Sequence, residues 1–358
     1  MRAFKLFLIA LAAFAAASCN NDDTLVKQNV GGKAGEIIIV ANKAEWETEP
    51  GNELRNILAA QYPYLPQSEP SYTLINIPHK SFTSLFEYHR NILILKVDEN
   101  LEAKYIAQED VWAAPQTVIL ITAPTREEAT RVIAENAERL FNTINQAERN
   151  RIMRNSKKYE DVELRKLVAD KFGGSPYFPK GYSLKKQTDN FVWISYETTY
   201  INLGIFVYRI PYKDETSLKL ENLMAATNDI MQENVPGMVD NSYMTISSEV
   251  EPGLQVMKDN VPGMVDNSYM TISSEITPGL TTMKYKNHNF MEMRGLWEVH
   301  NDFMGGPFVI HVFHDKNNPG ELIVVEGFVY APRYDKRDYI RQVESILYSF
   351  DWKEDFGK

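Results

Sequence analysis

One cysteine, Cys19, stands in a chain of 358 residues. A lone thiol excludes an internal disulfide, and in an exported protein it needs some other use. No serine sits in a nucleophile-elbow pattern, so nucleophilic catalysis has no visible candidate. "MGGPF", Met304 to Phe308, is glycine-rich but lacks the lysine and the strand-to-helix setting of a phosphate loop, and it reads as a turn between strands. No cofactor motif is present. Basic residues are outnumbered: 38 Lys and Arg against 48 Asp and Glu leave a formal charge of −10, two units more negative once Arg2 and Lys5 are removed. That balance excludes nucleic acid as a partner, because phosphate binding needs a basic footprint. Beyond the N-terminus no apolar run approaches a membrane span.

The N-terminus itself carries a pattern. Arg2 and Lys5 give a positive start, Leu6 to Ala17 form an apolar core of secretory length, and Ala16, Ala17 and Ser18 are small residues before Cys19; together they predict a signal peptide over residues 1–18. The arrangement resembles the bacterial lipoprotein box, in which the thiol is acylated and becomes the first residue of the mature chain, although Ala16 stands where that pattern prefers Leu. Cys19 is therefore expected as the lipid attachment and the membrane as a partner through it. Asn20, Asn21, Asp22 and Asp23 resemble the tag that exports some Bacteroidota lipoproteins to the outer face of the outer membrane; a periplasm-facing anchor is the alternative. Residues 19–34, rich in Asp, Asn, Gly and Lys, read as a flexible tether.

Past the tether the length suggests two domains. Over residues 35–173, short apolar runs ("EIIIVA", "YTLINI", "NILILKV", "TVILIT") alternate with helical patterns, which predicts an N-terminal α/β sandwich domain. Thr125 and Glu128 have the form of a capping box, opening a helix through Ile133, Leu140 and Ile144 that runs on into "RNRIMRNSKK". The basic cluster there, Arg149, Arg151, Arg154, Lys157 and Lys158, reads as a solvated helix end complementing the dipole rather than a headgroup site. A further helix through Leu164 and Val168 stops at Gly173 and Gly174, taken as the domain boundary. Residues 174–358 then become strand-rich and aromatic, with helices at Leu218–Gln232 and Lys336–Phe350. This predicts a mainly antiparallel, helix-backed sheet domain that can leave one face wet, and an α+β class overall.

"NVPGMVDNSYMTISSE" occurs at Asn234–Glu249 and again, letter for letter, at Asn260–Glu275, within duplicated segments 234–259 and 260–285. Two copies are too few for a solenoid, and structural repeats diverge at solvent positions whereas these do not. A tandem duplication explains the pattern, so one copy is surplus: one is expected to form a strand around Tyr243 or Tyr269 and the other an irregular loop or extra edge hairpin.

His300, His311 and His314 lie near Glu298 and Asp315, a set chemically suited to zinc. On a strand, however, His311 and His314 point to opposite faces, so no metal site is expected. "EMRGLWEVHNDFMGGPFVIHVF", Glu292 to Phe313, with "IVVEGFVYAP", Ile323 to Pro332, resembles the signature of an uncharacterised Bacteroidota lipoprotein family, domain of unknown function 4837. The resemblance implies an envelope location but no activity or catalytic residue. Within the motif Arg294, Trp297 and Asp302 are the candidate partner-binding surface, because Arg and Trp favour interfaces; Trp297 in the core with Arg294 paired to an acid is the alternative. Two functions follow: a non-enzymatic lipoprotein binding or assembling an envelope partner, or a glycan-binding or glycan-hydrolysing outer-membrane lipoprotein. A flat exposed apolar patch favours the first, and a concave pocket lined by aromatics and two carboxylates the second.

Overall fold

A computed structural model describes residues 27–235, 242–247, 276–300 and 304–357. Cys19, the signal segment and the tether before Lys27 lie outside these residues.

The first unit is a sheet of β1 (Glu36–Val40), β2 (Thr73–Ile77), β3 (Asn91–Val97), β4 (Lys104–Glu109) and β5 (Thr117–Ala123) in the order β2-β1-β3-β5-β4. All neighbours are parallel except the edge strand β4, which runs antiparallel to β5. Successive residues of a strand face opposite ways, so the unbroken run Ile37–Val40 needs cover on both sides. Ile37 and Ile39 pack with Leu54 and Leu58 of α1 (Glu49–Leu58) and Ile133 of α2 (Arg126–Glu135). Ile38 and Val40 pack with Phe82, Phe86 and Trp112 on the other side.

Thr125 caps α2, its hydroxyl oxygen accepting from the Glu128 amide at 3.3 Å. The helix expected to continue from there ends at Glu135, where the Asn136 side-chain amide turns back onto the Val132 carbonyl at 2.8 Å and the backbone leaves helical geometry. A separate helix, α3 (Ala137–Lys158), follows. Its 22 residues span about 33 Å. Leu140 and Ile144 sit in the first core, and Met153 packs against the second.

The next helix, α4 (Val162–Phe172), stops at Gly173, whose φ of 77° is a left-handed conformation that glycine adopts without strain. Its Leu164, Val168 and Phe172 belong to the second core. Thus α4, placed by the sequence before the boundary expected after residue 173, buries its apolar face against the second sheet.

That sheet is antiparallel throughout: β6 (Ser183–Gln187), β7 (Phe191–Glu197), β8 (Asn202–Pro211), β9 (Tyr243–Ser247), β10 (Gly279–Tyr285), β11 (His288–His300), β12 (Gly305–His314) and β13 (Glu321–Tyr330). The order is β9-β11-β12-β13-β8-β7-β6, with β10 also on β11. Neither face is left wet. Together α4 and α6 (Arg337–Tyr348) cover one face, while α5 (Leu220–Asn234) covers the other. "MGGPF" is not a turn beyond Met304: Gly305 to Phe308 open β12, and a Cβ on Gly306 would meet the Val329 carbonyl oxygen at 2.1 Å.

One edge explains the duplication. Ser247 lies opposite Leu296 and Gly279 opposite Arg294 on the same strand. Thus β9 and β10 run in one direction along β11, and the end of one and the start of the other lie two positions apart on it. The first copy supplies β9; the second, Asn260–Glu275, lies outside the described residues.

Candidate functional site

Helical spacing places Glu344 and Tyr348 on the face of α6 that meets α3, and strand alternation places Glu292 and Arg294 on one face of β11. His311 of β12 stands directly opposite Glu292 in the ladder. These elements bring together two acids, two arginines and a histidine that are far apart in sequence. Glu292 accepts from Arg294 Nε at 2.7 Å, from His311 Nε2 at 3.0 Å and from the Tyr348 hydroxyl at 2.8 Å. Glu344 accepts from Arg149 of α3 at 2.6 Å, from Arg294 Nη1 at 3.2 Å and from the Tyr62 hydroxyl at 3.3 Å. The Arg149 guanidinium also lies 3.6 Å above the centre of the Tyr348 ring.

The charges balance, and each group's protonation follows from its neighbours. Burial pushes the Glu344 carboxyl up, but Arg294 and Arg149 more than offset it and hold the group at about 2. Glu292 is likewise raised by burial and lowered further by Arg294. Burial keeps His311, which is 0 % exposed, below its ordinary value despite the nearby Glu292 carboxylate. Its Nδ1 has no hydrogen-bond partner, so the neutral ring with the proton on Nε2, facing Glu292, satisfies the geometry. The network is a locked ionic knot between α3, α6 and the sheet.

Above it opens a cleft of about 680 Å³ between the two units. Tyr62 and Tyr348 form its floor with Glu292 and Glu344, Phe141 and Tyr285 stand half-buried in its walls, and Arg139, Asn142 and Lys284 are exposed at its rim. Neither floor carboxyl is available as a general acid, because both are held ionised by arginine. Among the described residues a carboxyl raised by its surroundings, Glu326 at about 8, is fully buried on the opposite face of the sheet beside Tyr208.

Of the candidate surface of Arg294, Trp297 and Asp302, the structure describes the first two. Trp297 is 4 % exposed, packs against Phe328 at 5.4 Å between ring centres and donates its indole N–H to the Val329 carbonyl at 3.2 Å. Its side chain points to the α5 face, opposite Arg294, since the two are three positions apart on one strand. Arg294 pairs with Glu292 and Glu344, and Asp302 lies outside the described residues. Two residues of the basic run are paired and not solvated: Arg149 pairs with Glu344, and Arg151 pairs with Glu148 at 2.9 Å and donates to the Arg90 carbonyl at 2.8 Å. His311 is committed to Glu292, His314 packs edge-on against Tyr212, and Asp315 pairs with Arg209 at 3.2 Å. Among the described residues no cluster of three or more His, Cys, Asp or Glu is placed to hold a metal.

Sequence reading passed over Glu344, Tyr348 and Tyr62. The usable signal was local: Glu344 interrupts the buried stripe of Ile340, Val343 and Leu347, and an acid inside an apolar stripe needs a partner.

Comparisons with known proteins place these units. The family described as Domain of unknown function (DUF8532) matches residues 31–157. The family described as Domain of unknown function (DUF4837) matches residues 161–256 and 253–349. These two matches overlap at residues 253–256, in the sequence between β9 and β10, and the division between families falls where α3 gives way to α4. No curated protein matches the chain. Among solved structures, the human StarD13 (DLC2) lipid transfer and protein localization domain aligns at 11 % identity over 53 % of this chain and 95 % of that one, with a TM-score of 0.22. By its matches across the whole second unit, the chain belongs to the DUF4837 family.

Proposed function

We propose that this is a lipid-anchored protein of the bacterial outer membrane that binds a glycan in the cleft above the Glu292–Arg294–Glu344 knot without cleaving it. Residues 1–23 support the anchor at Cys19 and the envelope location, on either the periplasmic or the outer face. The observation that carries the binding reading is the cleft itself: a concave, open site with Phe141, Tyr285 and Tyr348 for stacking, amides at Asn142, Asn145 and Gln146 for hydroxyls, and two carboxylates held ionised. Glycoside hydrolysis needs a carboxyl that holds a proton near neutral pH, and the arginines hold both floor carboxyls far below that range. An envelope protein as partner has less support, because large exposed hydrophobics such as Leu85 and Val162 are on separate elements and Trp297 is internal.

The test is crosslinking in cells with a photoreactive residue at Asn142, on the exposed rim, in the acylated protein. Glycan adducts that fall about tenfold when Tyr285 is changed to Ala are the expected result, the loss of one stacking contact being about 1.4 kcal/mol. Capture of one reproducible envelope protein instead overturns the glycan reading in favour of the assembly one.

A further inference from the structure

Among the described residues, the helices longer than one turn cover a single face of the first sheet. Leu54 and Leu58 of α1, Ile133 of α2 and Leu140 of α3 all pack on the side of Ile37 and Ile39. The other side is covered by one helical turn, Ser84–Glu87, and by the loop at Trp112, which bring Phe82, Phe86 and Trp112 over Ile38 and Val40. A largely parallel sheet normally carries helices on both faces. Here the cover stops short. Residues directly opposite in a ladder share a face, so Ile94, Leu120 and Ile106, opposite one another in turn on β3, β5 and β4, form one row on this side. Ile94 and Leu120 are half-buried and Ile106 is 40 % exposed; Leu85, on the covering turn, is 78 % exposed, and Ile75, at the far edge, 37 %. Strand alternation sets the exposed Lys96 and Lys104 on the same side, two positions from Ile94 and Ile106, Lys104 pairing with Glu102 at 2.6 Å.

The chain enters the fold beside this face. Gln28 and Asn29 pair in parallel with Ala113 and Ala114, directly after Trp112, and the Lys27 ammonium donates to the Asp110 carbonyl. Trp112 itself packs edge-on against Phe82, with 5.8 Å between ring centres. Lys27 is eight positions from Cys19, and eight extended residues reach at most about 29 Å. A bilayer that holds an acyl chain on Cys19 is therefore kept within that reach of Lys27, which is fixed three residues from Val30 and beside the Trp112 loop. This face also has the chemistry a bilayer surface takes: exposed Leu and Ile, a Trp at the border, and lysines whose stems lie on apolar surface while their ammonium groups meet headgroups.

We propose that this face of the first sheet, with Leu85, Ile106 and Ile75, rests on the surface of the lipid bilayer to which Cys19 ties the chain. The inference rests on the anchor reading of residues 1–23 and is independent of what the tyrosine-lined cleft binds. Docking leaves that cleft open, because Phe141 in its wall packs with the core on the helix side of the sheet.

The test is hydrogen–deuterium exchange of the chain from Cys19 onward, coupled through the Cys19 thiol to a maleimide lipid in vesicles of phosphatidylethanolamine and phosphatidylglycerol. The reference is the same chain in solution with the thiol blocked. Amides of residues 84–87 and 104–109 are expected to exchange roughly tenfold more slowly on the vesicles, those of β6 in the second unit at an unchanged rate. Leu85→Asp together with Ile106→Asp abolishes the slowing; both positions are exposed, and unchanged exchange in β1 and β3 shows that the variant is folded. Equal exchange on vesicles and in solution, or slowing that survives the double substitution, overturns the proposal. So does slowing in solution that grows with protein concentration, which would put a second copy of the chain on this face. The mass of the Cys19 peptide from protein recovered from the envelope reads the anchor separately: an unmodified Cys19 overturns the anchor reading, while the coupled chain decides the face in either case.

Discussion

Glu292, Glu326 and Glu344 are three among 48 acids in the sequence, and only their surroundings tell them apart. Glu344 is raised by burial and lowered further by two arginines, to about 2 against an ordinary 4.5. A depressed carboxyl contributes stability that is fully present above 4.5 and is lost as pH falls toward 2. His311, held below 6.5 by burial, adds to that acid loss, since the unfolded chain takes up the proton more readily. Glu326 has the opposite sign. Burial raises it from 4.5 to about 8, with only the Tyr208 hydroxyl to offset it, and its Oε1 has no partner. The folded chain therefore keeps a proton that the unfolded chain releases, and stability falls as pH rises from about 4.5 to 8. Glu326→Gln is expected to remove that decline and to stabilise the protein at pH 8 by on the order of 2 kcal/mol, with little effect at pH 4.5. Urea midpoints at the two pH values check it; an unchanged alkaline slope in the variant would rule out Glu326 as its source.

At the scale of elements, α6 was the most readable part of the second unit. Its stripe of Ile340, Val343, Ile346 and Leu347 is buried as the periodicity indicates. What holds the helix at its depth was not readable. A Cβ on Gly327 of β13 would stand 2.1 Å from Val343 Cγ1 and 3.0 Å from Leu347 Cδ1, so the helix rests where a side chain would otherwise be. Gly327→Ala should cost about 2 kcal/mol, within the usual range for overpacking a filled core. Ala at exposed Gly320, where the nearest atom lies 3.6 Å away, is the control and should cost much less. Denaturant unfolding of both variants checks the difference; equal losses would mean that the helix yields freely. Likewise the capping residue Thr125 was legible, whereas the break at Asn136 was not, because asparagine within a helical pattern is ambiguous until its side-chain bond is seen.

At the scale of the whole molecule, two features stand out. The units are tied through an ion pair, Arg149 to Glu344, whose partners are 195 residues apart. The first copy supplies the edge strand β9, and Ser247 and Gly279, the nearest strand residues on either side of the second copy, face β11 residues only two positions apart. Deleting residues 250–275 leaves one intact copy and joins Glu249 to Ile276, so five residues connect β9 to β10. The shortened chain is expected to unfold within about 1 kcal/mol of the parent, because loop length enters closure entropy only logarithmically. Calorimetry of the two chains checks this; a large loss would show that the second copy packs against the fold.

The sequence by itself determined most of the elements and their order. Continuous apolar runs demanded a covered sheet in the first unit, alternation and aromatics indicated an antiparallel second sheet, Gly173 ended its helix, and identity of the two copies marked a duplication. These are local properties, carried by periodicities of two and 3.6 residues and by backbone conformations that few residue types adopt. Tertiary structure alone decided which charged residues matter. Arg149 reads as a solvated helix end, Trp297 as an interface anchor and Glu344 as one acid among many, until packing buries the first against the third and turns the second inward. The physical reason is that a charge acquires its partner, and so its protonation and its cost of removal, from residues brought near by long-range contacts that no local pattern records.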